Sequence, residues 1–108
     1  MKENKIEYEF FLSSDMKDKI RVSFQKRKGE ILGFMVQYES LIEEKWYPIV
    51  RYDTVHEFAH MDVMHPDGTV DKLPLYFPTY NLAFVYAVQN LKKFWMEYRE
   101  SYERRMKK

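Results

Sequence analysis

Every histidine of the chain falls within 15 residues of Arg51: His56, His60 and His65, interleaved with Asp53 and Asp62. Within this stretch His56-Glu57-Phe58-Ala59-His60 spells H-E-x-x-H. On a helix the two histidines, at i and i+4, would face the same way and could hold one zinc ion. Glu57 would then serve as general base toward the metal-bound water. In a strand the same four steps span about 13 Å, at about 3.3 Å per residue, too far to chelate one ion. The chemistry of the string therefore depends on local structure.

For a helix, Asp53 or Thr54 offers an N-cap, with Val55, Phe58, Ala59 and Val63 at helical spacing. For a strand, Ala59, Met61 and Val63 alternate with His60, Asp62 and Met64 and run into the turn signal Pro66-Asp67-Gly68. A hairpin needs a strand before such a turn, and β-rich sequence precedes it, so the strand reading is preferred. No zincin-like third ligand follows, which leaves His65 or a C-terminal Glu as stand-ins. On the strand reading no metal and no cofactor is expected; zinc at His56 and His60 belongs to the helical alternative alone. His56, His60 and Asp62 then share one sheet face and His65 the other, with His60 and Asp62 about 7 Å apart along the chain. Arg51 and Asp53 point to a common side of the preceding segment. Histidine as acid and base, with Arg51 on the phosphate, would suit metal-independent phosphodiester cleavage. The candidate catalytic set is Arg51, Asp53, His56, His60 and Asp62. The competing reading is structural: Asp53 caps a turn, the histidines satisfy backbone groups and Arg51 pairs with a carboxylate.

The elements that would position this segment are legible from periodicity. Ile6, Tyr8, Phe10 and Leu12 alternate with mostly polar neighbours, and Ser13-Ser14-Asp15 offers a turn. Ile20, Val22 and Phe24 mark a second strand, and Lys28-Gly29 turns into a third with Leu32, Phe34, Val36 and Tyr38 on one face. Trp46 to Tyr52 reads as a fourth, in which Pro48 argues for an edge or a bulge. After the 59–64 run and the turn comes a short strand, Thr69 to Leu75, interrupted by Pro74. From Tyr80 onward there is no Gly or Pro, and Phe84, Ala87, Val88, Leu91, Trp95, Tyr98 and Tyr102 recur at helical spacing. Thr79 or Asn81 suits the N-cap. The predicted fold is α+β: one domain over 1–108, an antiparallel β-meander of five or six strands (1–78) with one long C-terminal helix (79–108) packed on one face. Such a helix extends roughly 39 Å, at 1.5 Å per residue, so its last turns are expected to project or to meet a partner.

Composition bounds the rest. The chain has 108 residues, 45% apolar and 32% charged, which suits one globular core and not disorder. No apolar run approaches the roughly 20 residues needed to cross a bilayer, and the start is no signal peptide, so no membrane association and a cytoplasmic location are expected. The absence of cysteine removes disulfides, thiolate zinc sites and cysteine nucleophiles. A net charge of +1 supplies no overall pull toward nucleic acid. Nine Tyr, eight Phe and two Trp are more aromatics than so short a chain can bury, which points to a groove or a homodimer contact.

The stretch from Lys45-Trp46-Tyr47-Pro48-Ile49-Val50-Arg51-Tyr52-Asp53-Thr54-Val55-His56 through His65-Pro66-Asp67-Gly68, with Trp95, Tyr98, Arg99 and Glu100 on the helix, resembles a family of short, uncharacterised bacterial and archaeal proteins. Their shared core reads W-Y-P-V-V-R-Y-D-T-A-H-G-F-x-H-x-D-x-x-H-P-x-G. The family carries Gly where this chain has Glu57, which implies that the H-E-x-x-H string is a local accident. The Tyr-Asp-x-x-His…His core is also similar to that of TumE-type toxins of toxin–antitoxin pairs. Three functions follow as expectations. One is a toxin-like, RNA-acting protein using the His/Asp/Arg cluster. The second is a non-catalytic homodimer or partner-binding module whose contact is made by exposed Tyr and Trp residues such as Trp95; across these readings the partners expected are a second copy, RNA or a small protein. The third, disfavoured, is a minimal zinc peptidase.

Overall fold

The computed structural model describes residues 4–55 and 58–107. Six strands, β1 (Asn4–Phe11), β2 (Asp18–Arg27), β3 (Glu30–Ile42), β4 (Lys45–Asp53), β5 (His60–Met64) and β6 (Val70–Pro74), form one sheet. A single helix, α1 (Tyr80–Met106), follows them. The sheet order is β1-β2-β3-β4-β5-β6 with every neighbour antiparallel, so the expected meander and α+β class hold. At the β2–β3 hairpin Lys28 and Gly29 both take positive φ, the primed geometry that matches strand twist. Pro48 sits where the β3–β4 register shifts between Tyr38 and Glu39, so it occupies a bulge in an interior strand and not an edge.

The residues that alternate inward on β2, β3 and β4 meet α1. Ile20, Val22, Val36, Tyr38, Val50 and Tyr52 are buried with Ala83, Ala87 and Leu91 of the helix. The two alanines bring the helix close, and aromatic rings fill the space to either side. Phe84 packs on Phe24 and Phe34 at ring separations of 5.1 and 5.7 Å. Thr79 is the N-cap, its side chain accepting the Leu82 N–H. Asn81 instead donates to the Gly29 carbonyl and accepts the Ile31 N–H, tying the helix start to the β2–β3 turn. Two sequence expectations for the helix are corrected here. The last turns do not project: Tyr102 is buried, 5.8 Å from the Tyr47 ring, and Met106 still packs on the core. Trp95 faces inward onto Tyr38, 6.2 Å between rings, so it belongs to the core and not to a partner surface.

A buried polar cluster fastens this layer. Asp18 is 1% exposed, and its carboxylate accepts from Tyr38 (2.6 Å), Ser40 (2.7 Å) and Arg99 (2.8 Å). Burial alone would lower the Arg99 pKa, but the adjoining Asp18 and Glu103 charges more than offset it and raise it. Burial, and then donation to Asp18, push the Tyr38 hydroxyl far above its ordinary value. Among the described residues no helix is long and apolar enough to cross a membrane.

Candidate functional site

The sheet face away from α1 is polar, and the register explains how. Glu9, Arg21, Gln37, Arg51, Asp62 and Lys72 are successive cross-strand partners, one from each strand. Beside this row run Met35, Asp53, His60 and Pro74. Since side chains alternate along a strand, Arg51 and Asp53 on β4, and His60 and Asp62 on β5, share this face. His65, on the other side as expected, bonds Asp71 through Nε2 and receives Arg105 of the helix at Nδ1, both at 2.8 Å.

The structure brings together Asp53, His60 and Asp62. All three are buried, and their ligand atoms lie within 4.8 Å of one another. His60 Nε2 is 3.0 Å from Asp53 Oδ1 and 3.6 Å from Asp62 Oδ1. Its Nδ1 lies 3.4 Å from the Phe58 carbonyl. Asp53 Oδ1 also accepts the Val55 N–H at 3.2 Å, so the turn-capping role and the histidine contact coexist on one oxygen. Two carboxylates this deep demand cationic company, because an uncompensated buried charge costs several kcal/mol. Among the described residues Lys72 supplies it, its ammonium spanning both Asp62 oxygens at 3.3 and 3.4 Å, with the His60 ring between the two carboxylates.

Arg51 lies opposite Asp62 in the register, but its Nε donates to Gln37 at 2.7 Å, and Gln37 donates to Glu39, which also holds Arg21. The guanidinium is thus committed to a network running toward β2. His56 and Glu57 lie outside the described residues. Their partner in the H-E-x-x-H string, His60, is the first residue of β5, so the helical turn that the zinc alternative needs is not formed at that residue. Thr54, considered above as a helix cap, instead exchanges two hydrogen bonds with Phe34 of β3 and prolongs the β4 ladder.

A cleft of about 340 Å³ opens beside the cluster, lined by Phe58, His60, Lys72, Pro74 and Tyr76. Phe58 sits over the His60 ring at 5.9 Å, and Tyr76, 88% exposed, stands on the far wall. The sequence reading missed Lys72, Phe58 and Tyr76. Lys72 had a signal: a hairpin centred on Asp67 must pair residues whose numbers are symmetric about it, which puts Lys72 opposite Asp62. Nothing comparable marks Tyr76, which follows the last strand.

The cleft joins an aromatic wall, a movable cation and a carboxylate-held imidazole, an arrangement suited to a flat, anionic ligand. No curated protein and no solved structure matches the chain. Its kinship rests on a family model described as a domain of unknown function, DUF7718, which matches all of residues 1–108, and the chain belongs to that family.

Proposed function

We propose that this protein is a small, toxin-like RNA-acting enzyme whose cleft takes one nucleotide of a single strand. The observation that carries the reading is the placement of His60: held by buried Asp53 and opening onto a cleft with Lys72 and two exposed aromatic rings. Aromatic side chains accept any base by stacking, and an ammonium pairs with phosphate. The resemblance of the Tyr52-Asp53…His56…His60 core to TumE-type toxins supports the same reading.

In the tautomer that gives Nε2–H to Asp53, the imidazole keeps its lone pair on Nδ1, on the Phe58 side. Nδ1 takes the proton of a ribose 2′-hydroxyl, and the 2′-oxygen bonds the adjacent phosphorus. The bond from phosphorus to the 5′-oxygen breaks, and that oxygen takes a proton from water. The imidazolium returns its proton to the hydroxide so formed, while Lys72 meets the phosphate charge. His60 is only 5% exposed, so the half-exposed Phe58 ring must swing aside for substrate to reach it. Arg51, tied to Gln37, supports the sheet beneath the site in this scheme and leaves the phosphate to Lys72.

The test is incubation of the purified chain with an end-labelled single-stranded RNA. Cleavage to a cyclic phosphate is expected, reduced at least about 100-fold in His60→Ala. Binding is expected to weaken about tenfold in Tyr76→Ala. A folded chain that neither binds nor cuts RNA overturns the proposal.

A second reading has its own observation. Leu82, Val85 and Tyr86 form an exposed apolar patch on the outer side of the first turns of α1, the kind of surface a homodimer or protein partner would cover. Sedimentation equilibrium would show association that Val85→Glu abolishes.

A further inference from the structure

We infer that Asp53, His60 and Asp62 form a binding site for a first-row divalent cation such as Mn²⁺ or Zn²⁺. This goes beyond the RNA reading and does not depend on it; since it uses the other tautomer of the same ring, a bound cation would leave Nδ1 no lone pair with which to act as base.

A metal bonding N and O donors at about 2.1 Å has ligand–ligand edges of about 3.0 Å in an octahedron and about 3.4 Å in a tetrahedron. The gaps from His60 Nε2 to the two carboxylates, 3.0 and 3.6 Å, match such edges. The third gap lies within 4.8 Å, against the roughly 4.2 Å that two ligands on opposite sides of one ion span, so a small side-chain rotation brings all three onto one ion. Each donor is fixed from its strand in the cross-strand row and is buried, unlike the mobile carboxylates of an exposed acidic patch.

The outer contacts agree. A metal-ligating histidine ordinarily gives its second ring N–H to a carbonyl or carboxylate. His60 has the Phe58 carbonyl at Nδ1 for that purpose, at 3.4 Å. The imidazole thus has two tautomers here, one donating from Nε2 to Asp53, the other donating from Nδ1 to Phe58 and turning the Nε2 lone pair toward the carboxylates. A cation selects the second.

Charge points the same way. Two carboxylates and a neutral imidazole sum to −2, which a divalent ion neutralises. Without it, part of that role falls to Lys72, whose own side chain is 63% exposed and leaves readily. The donor set of one nitrogen and two oxygens suits Mn²⁺, Fe²⁺ or Zn²⁺ better than Ca²⁺, which prefers oxygen alone.

The experiment is calorimetric titration of the full chain, stripped with chelator and dialysed, with MnCl₂ and ZnCl₂ in the absence of RNA. One ion per chain is expected. Asp62→Asn and His60→Ala should each weaken it at least about 100-fold, and His65→Ala should not. Lys72→Met removes the competing ammonium and should tighten binding about fivefold. Should His60→Ala fail to fold, Mn²⁺ added to the unmodified chain must broaden the His60 ring resonances before those of His65. No binding, or binding indifferent to Asp62→Asn with no selective broadening at His60, overturns the site. RNA cleavage is absent from every arm, so its failure and this one are read separately.

Discussion

Two buried carboxylate clusters lie on opposite faces of the same sheet, and they are built differently. Under the helix, Asp18 accepts from two hydroxyls and a guanidinium, each at 2.8 Å or less, and its cation arrives on α1. On the open face, Asp53 and Asp62 share one imidazole, and the described cation beside them is a lysine reaching in from the edge strand. The first cluster is saturated with donors and closed by packing. In the second, two carboxylates compete for one ring and border a cleft. The contrast teaches that equally deep burial can hold charge in two ways, one closed by its own donors and the other left short of them.

The largest effect should come from Arg99→Met, which leaves the Asp18 charge buried without its cation. It should cost about 3 kcal/mol of stability in urea denaturation. The tyrosines come next. Burial first, then donation to Asp18, raise Tyr38; burial first, then neighbouring Tyr98 and Tyr86, raise Tyr52. A raised pKa contributes stability that is complete below the unfolded value, about 10, and is lost as pH climbs above it. Alkaline unfolding followed by tyrosinate absorbance should therefore set in above about pH 10, at up to about 1.4 kcal/mol per pH unit for each tyrosine. Tyr38→Phe should lower that slope by up to about 1.4 kcal/mol per pH unit, Tyr52 and the likewise raised Tyr98 and Tyr102 supplying the rest.

On the open face the expectation differs. The double change Asp53→Asn with Asp62→Asn removes two crowded charges and should move stability by less than about 1 kcal/mol, in either direction. A loss as large as that of Arg99→Met would break the comparison and make both clusters structural. The smallest effect belongs to Tyr76→Ala, expected to leave the melting temperature unchanged while weakening RNA binding.

The fold was legible because its signals are local. Alternation marked Ile6 to Leu12, Ile20 to Gln25 and Leu32 to Tyr38, and the absence of breakers after Thr79 marked the helix. Pro48 marked an irregularity, edge or bulge, and only the β3–β4 register decides for the bulge. Grouping Asp53, His60 and Asp62 was also within reach, since parity along two paired strands decides it. The rest was not local. Arg51 turned to Gln37 because of a β3 residue at matching register, a partner no single segment reveals. Trp95 looked like an interface residue until the sheet's Tyr38 lay beneath it.

In a strict meander each strand pairs with the one made just before it, so the sheet can zip hairpin by hairpin. The Asp18–Arg99 bond joins residues 81 positions apart. It is therefore a latch on the order of folding. As the chain leaves the ribosome, β2 and β3 can pair while Asp18 still faces solvent, and the fastening waits until Arg99 has been synthesised. Chains truncated before Arg99 should keep strand pairing yet lack the cooperative, all-or-none unfolding expected of residues 1–108.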